Sequence, residues 1–484
     1  MAEDRTVLGH DDERAAMTSL PRALNPLRHA HYRLLAASMA LSLLTQGLWA
    51  IAVVWQVVEL GGGPGSLSLV TALSAAGMMG TTLLGGALAD RLPQRHILLA
   101  VALVQAAATG LAAALSLAGA LEVWQLALVS LVDGIALGMY YPAYSALVPA
   151  LVPEGDLLAA NGIEGVVRPV LAQAAGPAVA GLLVASFSPG AALAATALTS
   201  LAAAAYLWAL PTTPVRRELG ESGAPVTGLL ADVREGFVYM VRTPWLLATL
   251  LYASLMLLVF IGPFEVLVPF AVRDAGGGPS QHAAVLMAFG VGGAVGSLVV
   301  ASLRLPRRYL TVMNLLWGVG CIPIVVFGFS SELWVMVAAG AVMGTTFQAG
   351  MVIWGTLLQR RVPSALLGRV SSLDFFVSLS FMPVSMALAG TVGEVVGLTT
   401  VFLVAGLGPP VLAVVAVVAA RMPADEIAHP LDTSSEPEGV VPALEPVPAP
   451  GGPAATGPLP PARDGMDGAA GTDPVREGEP WPSR

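Results

Sequence analysis

Twelve apolar runs constrain this chain more than any other feature of its sequence. Each run holds about 20 residues or more, which as a helix is long enough to cross roughly 30 Å of hydrocarbon. The runs lie at 34–58, 66–88, 97–118, 124–148, 161–184, 190–210, 245–271, 282–303, 310–329, 333–358, 370–393 and 398–420. With 56% hydrophobic and only 11% charged residues, the chain is too apolar for one water-soluble core. The sequence therefore predicts an all-α integral membrane protein with twelve transmembrane helices.

A repeated loop divides the runs into two halves. The residues Gly77, Gly80, Arg91, Pro93 and Arg95 recur 213 positions later (290 − 77) as Gly290, Gly293, Arg304, Pro306 and Arg308. Each copy joins two apolar runs. This spacing is too long for a solenoid repeat, but it fits two similar membrane halves with a binding site at their interface. The expectation is two pseudo-symmetric halves of six helices each.

Composition predicts what lies between and around the halves. The segments are a cytoplasmic N-terminal segment at 1–33, an N-terminal half at 34–210, a cytoplasmic linker at 211–244, a C-terminal half at 245–421 and a tail at 422–484. In the linker, apolar residues from Leu229 to Val241 recur every four positions, which favours an amphipathic helix on the membrane surface. From Pro423 onward, eleven acidic residues face three arginines amid dense Pro and Gly. This composition predicts a disordered cytoplasmic tail.

Arginine placement predicts the orientation. If both termini are cytoplasmic, twelve arginines fall in the inner loops, whereas the outer loops carry only Arg273. The first segment has no short apolar core before a cleavage site, so the first span is expected to act as the targeting signal. We expect a multi-pass protein of the inner (plasma) membrane.

The loop after the second run resembles a known signature. The stretch from Gly86 to His96, with Asp90-Arg91 at its centre, is similar to the signature loop of the major facilitator superfamily, although Pro93 stands where that family usually has glycine. The resemblance implies a gate latch in which Asp90 docks against the start of the eleventh span in the outward-facing state. The alternative is that these charges only set topology. The latch residues would be Gly86, Asp90, Arg91 and Arg95, with Arg304 and Arg308 from the second copy.

A second resemblance lies in the fifth run. Gly176, Pro177 and Gly181 are similar to the Gly-x-x-x-Gly-Pro-x-x-Gly-Gly pattern of proton-coupled exporters of the same superfamily, with two glycines replaced by alanine. Further stretches resemble bacterial drug-efflux and siderophore-export members. The alternative reading is close helix packing, since small residues let helices approach and Gly-Pro bends them.

Acidic residues inside the runs are the candidate proton-coupling groups, because each is costly in the bilayer unless it is paired or faces a cavity. Glu164 and Arg168 lie four residues apart on one helix face and are expected to pair. Superposing the two halves at Pro153 and Pro363 places Asp374 opposite Glu164. This group could gate or couple transport, or it could form structural ion pairs near the inner boundary.

Asp133 and Glu265 have no basic neighbour in sequence. Desolvation favours the neutral acid, which suits a proton carrier; the alternative is a neutral acid hydrogen-bonded within the bundle. Polar and aromatic residues elsewhere in the runs could line a largely apolar cavity. These are Gln46, Trp49, Tyr140, Tyr141, Gln348, Trp354 and Phe375.

The sequence thus predicts a secondary transporter that exports a small amphipathic organic compound, such as a drug, antibiotic or siderophore-like metabolite, by proton antiport with alternating access. A major facilitator importer or uncoupled facilitator is the alternative. A membrane-embedded enzyme or receptor is the alternative of another class, but the phosphate-binding loop and common hydrolase motifs are missing from the sequence. The lone Cys321 cannot form a disulfide within the chain. We expect a functional monomer whose partners are its substrate, protons and the lipid bilayer, without cofactor, metal, nucleotide or nucleic acid.

Overall fold

The computed structural model describes residues 22–89, 92–211 and 226–431. Its long helices, α1 to α12, follow the predicted runs. They are α1 Ala30–Glu59, α2 Pro64–Ala89, α3 Gln94–Leu117, α4 Val123–Leu151, α5 157–186, α6 Pro189–Ala209, α7 Pro244–Asp274, α8 Pro279–Ser302, α9 Tyr309–Phe329, α10 Leu333–Arg361, α11 364–396 and α12 Leu398–Ala419. Within these described residues, eleven helices are long and apolar enough to cross a membrane, and α2, with 26 residues, corresponds to the remaining run. The twelve-helix bundle is confirmed.

Four of these helices are interrupted. In α5, a π-helix at Pro169–Ala175 separates Leu157–Arg168 from Gly176–Ser186, and in α7 a π-helix at Pro263–Leu267 separates Pro244–Gly262 from Val268–Asp274. In α9 the interruption is a 3-10 turn at Ile322–Val325. In α11 a break separates Ser364–Leu379 from Met382–Val396. Each interruption has a proline in it or just beside it, because proline lacks the N–H that the helical ladder needs. Pro177, Pro269 and Pro383 lie within two residues of three of these sites, whereas α4 runs through Pro142 as one helix.

Close packing at equivalent glycines confirms the two pseudo-symmetric halves. Gly134 of α4 lies directly against the backbone carbonyl of Ser74 in α2. Gly344, 210 positions later (344 − 134), lies in the same way against the carbonyl of Phe289 in α8. A side chain at either glycine would collide with backbone, so each half depends on the same tight helix pair.

The two halves meet mainly at one end of the bundle, which we call the Glu394 end. There Met382–Val396 of α11 packs on α2, and the Pro169–Ala175 and Gly176–Ser186 pieces of α5 pack on α8. The first pieces of α5 and α11, Leu157–Arg168 and Ser364–Leu379, pack within their own halves or on the linker helix. They lie at the opposite end, which we call the arginine end because Arg95 and Arg308 begin α3 and α9 there. The structure is therefore closed between the halves at the Glu394 end.

The predicted helix in the linker is present as Val226–Arg242, the linker helix. Glu235 forms an ion pair with Arg369 of α11, and the Tyr239 hydroxyl donates to the Arg361 carbonyl at 3.4 Å. Phe237 and Val241, one turn apart, stay 51% and 45% exposed. The linker helix is thus fixed to the second half with an apolar edge left uncovered, while its place on the membrane surface stays a prediction.

The sequence analysis placed the start of the disordered tail too early in the chain. Met422–Ala428 forms a terminal helix, and its Met422 is fully buried. Arg361 of α10 donates to both Asp425 oxygens at 2.7 and 3.3 Å, and Glu426 accepts from the Thr311 backbone N–H at 2.7 Å. Acidic residues that suggested a solvated tail instead neutralise an arginine and cap α9. Residues 432–484, the rest of the predicted tail, lie outside the described part of the chain.

Candidate functional site

The predicted Glu164–Arg168 ion pair forms on the arginine-end piece of α5. The Arg168 guanidinium also donates to the Tyr141 hydroxyl and stands 4.6 Å from the centroid of the Tyr141 ring. The two charged side chains remain 28% (Arg168) and 23% (Glu164) exposed, although they lie on a span. This pair therefore faces accessible space, and its net charge is zero.

Tyrosines extend this group into the first half. Tyr140 stacks on Tyr144 with ring centroids 5.8 Å apart and meets Tyr141 edge-on at 5.6 Å. Tyr140 is only 6% exposed, and Tyr144 donates to the Met39 sulfur at 2.8 Å. Of the two tyrosines predicted to line a cavity, Tyr141 is the accessible one, whereas Tyr140 packs in the core of its half.

Asp374 occupies the equivalent place on α11 but has different partners. Its carboxylate accepts from the Trp354 indole N–H at 2.9 Å and from the Ser378 hydroxyl at 3.1 Å. Within the described chain these partners are neutral, so the charge is not balanced as that of Glu164 is. The Trp354 ring lies 6.4 Å from Trp245 and 6.3 Å from Trp317. A carboxylate whose partners are neutral retains its charge and is suited to binding a cation.

Two further aromatic residues follow Asp374 along α11. Phe375 and Phe376 are 49% and 46% exposed on the same helix. Trp354, predicted to line the cavity, is instead only 5% exposed, so it reaches the site mainly through its N–H.

Asp133 lies inside the first half, away from Asp374. Its Oδ1 accepts from the Gln105 amide of α3 at 2.8 Å, and the residue is 9% exposed. The neighbouring Gly134 is pressed against α2. The acid is therefore held between α3 and α4. This hydrogen bond within the bundle matches the second of the two alternatives that the sequence analysis gave for Asp133.

Glu265 lies on the π-helix of α7. Phe264 and Val266 on either side are buried, while Glu265 itself is partly exposed. This segment packs on α2 and on the second piece of α11. Glu265 therefore lies where the halves meet at the Glu394 end, on a segment whose hydrogen bonding is already irregular, as is common at functional sites.

The motif in α5 lies at a crossing of three helices. A Cβ on Gly176 would stand 2.6 Å from the Gly47 Cα of α1. A Cβ on Gly181 would stand 2.5 Å from the Ala283 Cβ of α8. Gly176 thus allows α5 to pack closely on α1 within its own half, and Gly181 allows α5 to pack closely on α8 of the other half. The packing role predicted as an alternative is present, whatever else the motif does.

The signature loop is only partly described, since Asp90 and Arg91 lie outside the described residues. Gly86 belongs to α2. Arg95 donates to the Leu207 and Trp208 carbonyls at the end of α6, at 3.0 and 2.6 Å. Its repeat partner Arg308 donates to the Pro423 carbonyl just beyond α12 at 2.8 Å. Arg95 thus holds the end of the last helix of its own half, as a cation near a helix C-terminus is expected to do, whereas Arg308 binds the first turn of the terminal helix.

The remaining predicted cavity residues and Arg304 are separated. Gln46 and Trp49 are partly buried on α1, Gln348 of α10 lies beside Gly293 of α8, and Arg304 is exposed. An apolar cavity of about 330 Å³ lies elsewhere, lined by residues of α2, α3 and α4 that include Leu88, His96, Val104 and Met139. None of the predicted cavity residues lines it.

Sequence reasoning missed three functional positions. It gave Glu394 no role, and it assigned Asp425 and Glu426 to a disordered tail. Glu394 joins the two halves, as described below, whereas Asp425 and Glu426 bind Arg361 and Thr311.

Two six-helix halves of this kind, with broken helices near their interface, define a transporter of the major facilitator superfamily. The solved structure of the nucleoside transporter NupG agrees with a TM-score of 0.64 at 16% identity, over 80% of this chain and 99% of that one. At that identity the likeness concerns the fold. The model of the transmembrane secretion effector family matches residues 21–444. The chain therefore belongs to that family of the major facilitator superfamily.

Curated relatives span the same length. Macrolide efflux protein A of Streptococcus pyogenes is 25% identical over 377 residues, which covers 76% of this chain and 91% of the relative. Multidrug efflux pump Tap of Mycolicibacterium fortuitum is 26% identical over 405 residues, covering 81% of this chain and 94% of that pump. The likeness thus extends through both halves.

Proposed function

We propose that this protein exports amphipathic organic compounds that carry a basic group, and that it exchanges them for protons. The relatives, a macrolide efflux protein and a multidrug efflux pump, support export of such compounds. The observation that carries the chemical class is Asp374. Its carboxylate accepts from two neutral groups, the Trp354 N–H and the Ser378 hydroxyl, on a helix that also carries exposed phenylalanines, which suits a protonated amine on an apolar body.

Asp374 also offers the simplest coupling. A carboxylate that holds either a proton or the substrate cation, but not both, makes release of one the condition for binding the other. Glu164 is less suited to this task because Arg168 already neutralises it. We assign Glu164, Arg168 and Tyr141 to the opposite wall, where they would orient the polar parts of the substrate.

The other two acids have supporting roles in this proposal. Glu265 lies at the meeting of α7, α2 and α11, so its surroundings change when the halves separate, and it is the second candidate for the proton. Asp133 is bonded to Gln105 inside one half. Because rigid movement of the halves leaves that contact intact, we assign Asp133 a structural role.

Membrane orientation completes the proposal. We place the arginine end in the cytoplasm with both termini, following the arginine bias of the loops. The structure, closed at the Glu394 end, then corresponds to the state that receives substrate from the inside. Rocking of the halves about the central site would expose the substrate to the outside.

Transport into proteoliposomes tests this function. Wild-type protein with an imposed pH gradient should accumulate a macrolide against its concentration gradient, and Asp374→Asn should abolish accumulation. Glu332→Gln is the matched control, because Glu332 is an exposed acid that precedes α10 without capping it.

The outcomes separate the alternatives. Uphill transport by Asp374→Asn with unchanged proton dependence would remove Asp374 as the coupling group. Downhill movement only, by the wild-type protein, would identify an uncoupled facilitator. Accumulation in the opposite direction relative to the proton gradient would identify an importer.

A further inference from the structure

A carboxylate from one half caps a helix of the other half at the Glu394 end. Glu394 lies in the last turn of α11, and its Oε1 accepts from the Gly65 backbone N–H at 2.9 Å. Gly65 is the second residue of α2, so its N–H has no partner within the helix. The first turn of a helix also carries partial positive charge, which favours an anion there. Glu394 therefore supplies to α2 the cap that its own sequence lacks.

The glycines beside this contact make room for the carboxylate. A Cβ on Gly65 would lie 3.2 Å from the Glu394 Oε1, and one on Gly63 would lie 3.4 Å from the same atom. Deeper in the interface, the Gly390 N–H donates to the Ser68 hydroxyl at 2.7 Å. Gly390 itself leaves no space for a side chain, because its Cα faces the Pro64 carbonyl. The two hydrogen bonds thus join one turn of α11 to the first turns of α2.

The equivalent contact in the other helix pair carries no charge. α8 begins after Gly276-Gly277-Gly278 at Pro279, as α2 begins after Gly61-Gly62-Gly63 at Pro64. Yet the α5 residue packed there is Gly181, close to Ala283 and the Pro279 carbonyl. The α5–α8 pair is held by close apolar packing. The α2–α11 pair has polar contacts that can be exchanged for water.

Such a contact is suited to reversible opening. Glu394 is exposed, so water can solvate the carboxylate when the halves separate, and the uncapped N–H of Gly65 can be hydrated too. The cost of breaking the contact is then small, whereas a buried pair would be expensive to break. A gate that opens in every transport cycle requires this modest cost.

We propose that Glu394 is the outer latch of the transporter, holding α11 to the start of α2 while the protein is closed on that side. The latch rests on the alternating access of the proposed function. It mirrors the sequence-predicted inner latch, in which Asp90 at the end of α2 would dock on the start of α11. The same two helices would then exchange caps, with Glu394 on α2 in one state and Asp90 on α11 in the other.

Distances between spin labels test the latch directly. Labels at Ala120→Cys and Ser331→Cys report the separation of the halves, because these exposed residues lie in the α3–α4 and α9–α10 connections at the Glu394 end. The buried Cys321 is replaced by alanine. The measurement is made on the full chain in lipid nanodiscs, without substrate or pH gradient.

Glu394→Ala should shift the ratio of open to closed molecules at this end by about fivefold towards open, equal to about 1 kcal/mol for a lost cap. Glu394→Gln keeps a neutral acceptor and should shift it by about twofold. Ser68→Ala, which removes only the Gly390 contact, should shift it in the same direction. Glu59→Ala is the matched control, because this acid at the end of α1 bonds to Gln56 of its own helix at 3.2 Å.

An unchanged distance distribution in Glu394→Ala would overturn the latch, and so would an equal shift in Glu59→Ala. A loss of thermal stability without a shift would reassign Glu394 to folding. Because no substrate is present, these outcomes leave proton-coupled export untouched. Conversely, failure of the wild-type protein to accumulate substrate would remove the proposed transport activity without bearing on the measured distances.

Discussion

The capping of α9 by the terminal helix allows a stability change to be worked out from individual contacts. The Glu426 side chain has no exposed surface, and its carboxylate accepts from the Thr311 N–H at 2.7 Å and the Thr311 hydroxyl at 3.1 Å. Loss of an N-cap costs about 1 kcal/mol, and leaving buried donors unpaired costs about 1–3 kcal/mol. The half-exposed Arg308, 3.8 Å away, adds little. Because both costs describe loss of the same acceptor for Thr311, Glu426→Ala should destabilise the protein by about 1–3 kcal/mol.

Equilibrium unfolding of the purified protein in detergent, titrated with denaturant, would measure this loss. Glu332→Ala is the matched control, since Glu332 precedes α10 without making a side-chain cap, and it should change stability by less than about 0.5 kcal/mol. If Glu426→Ala is also within about 0.5 kcal/mol of the wild type, the cap contributes nothing and the reasoning from burial and hydrogen bonding is wrong.

Four further predictions concern other parts of the chain. Truncation after residue 431 should leave stability and transport unchanged. Truncation after Arg421 also removes Met422, Asp425 and Glu426, so it should reduce the amount of folded protein in a detergent size-exclusion assay. Equal yields from the two truncations would contradict a structural role for the terminal helix. Gly134→Ala should destabilise the protein by about 1–3 kcal/mol, because the added methyl group would collide with the Ser74 carbonyl. Gly165 has open space around it, so Gly165→Ala should leave stability unchanged or raise it by up to about 1 kcal/mol in the same unfolding assay. Asp90→Asn should reduce transport severely at unchanged membrane expression, and wild-type turnover would exclude the inner latch. Arg168→Gln should impair transport more than Glu164 and Arg168 replaced together by Gln, because the single change leaves an unbalanced acid; a larger defect in the double variant would show that the charges act separately.

The local sequence determined the membrane fold because the lipid bilayer allows few backbone structures. In hydrocarbon every backbone polar group must be bonded within the chain, so long apolar runs have to be helices. Prolines likewise mark most of the helix breaks, because a missing backbone N–H removes a hydrogen bond from the helix at that point. The Glu164–Arg168 pair could also be read directly from its spacing of four.

Partners that come from distant parts of the chain could not be read in this way. Glu394 and Gly65 are separated by 329 positions, and an acid at the end of a span looks the same whether it faces water or caps another helix. Asp374 matches Glu164 in the repeat, yet only the fold gives it Trp354 in place of an arginine. The same holds for Asp425 and Glu426, whose acidic, proline-rich surroundings favour disorder until Arg361 and the start of α9 supply their partners. Sequence thus determined where helices form and which charges are costly in lipid, whereas the tertiary structure alone decided which charge meets which partner, because that depends on how the helices pack.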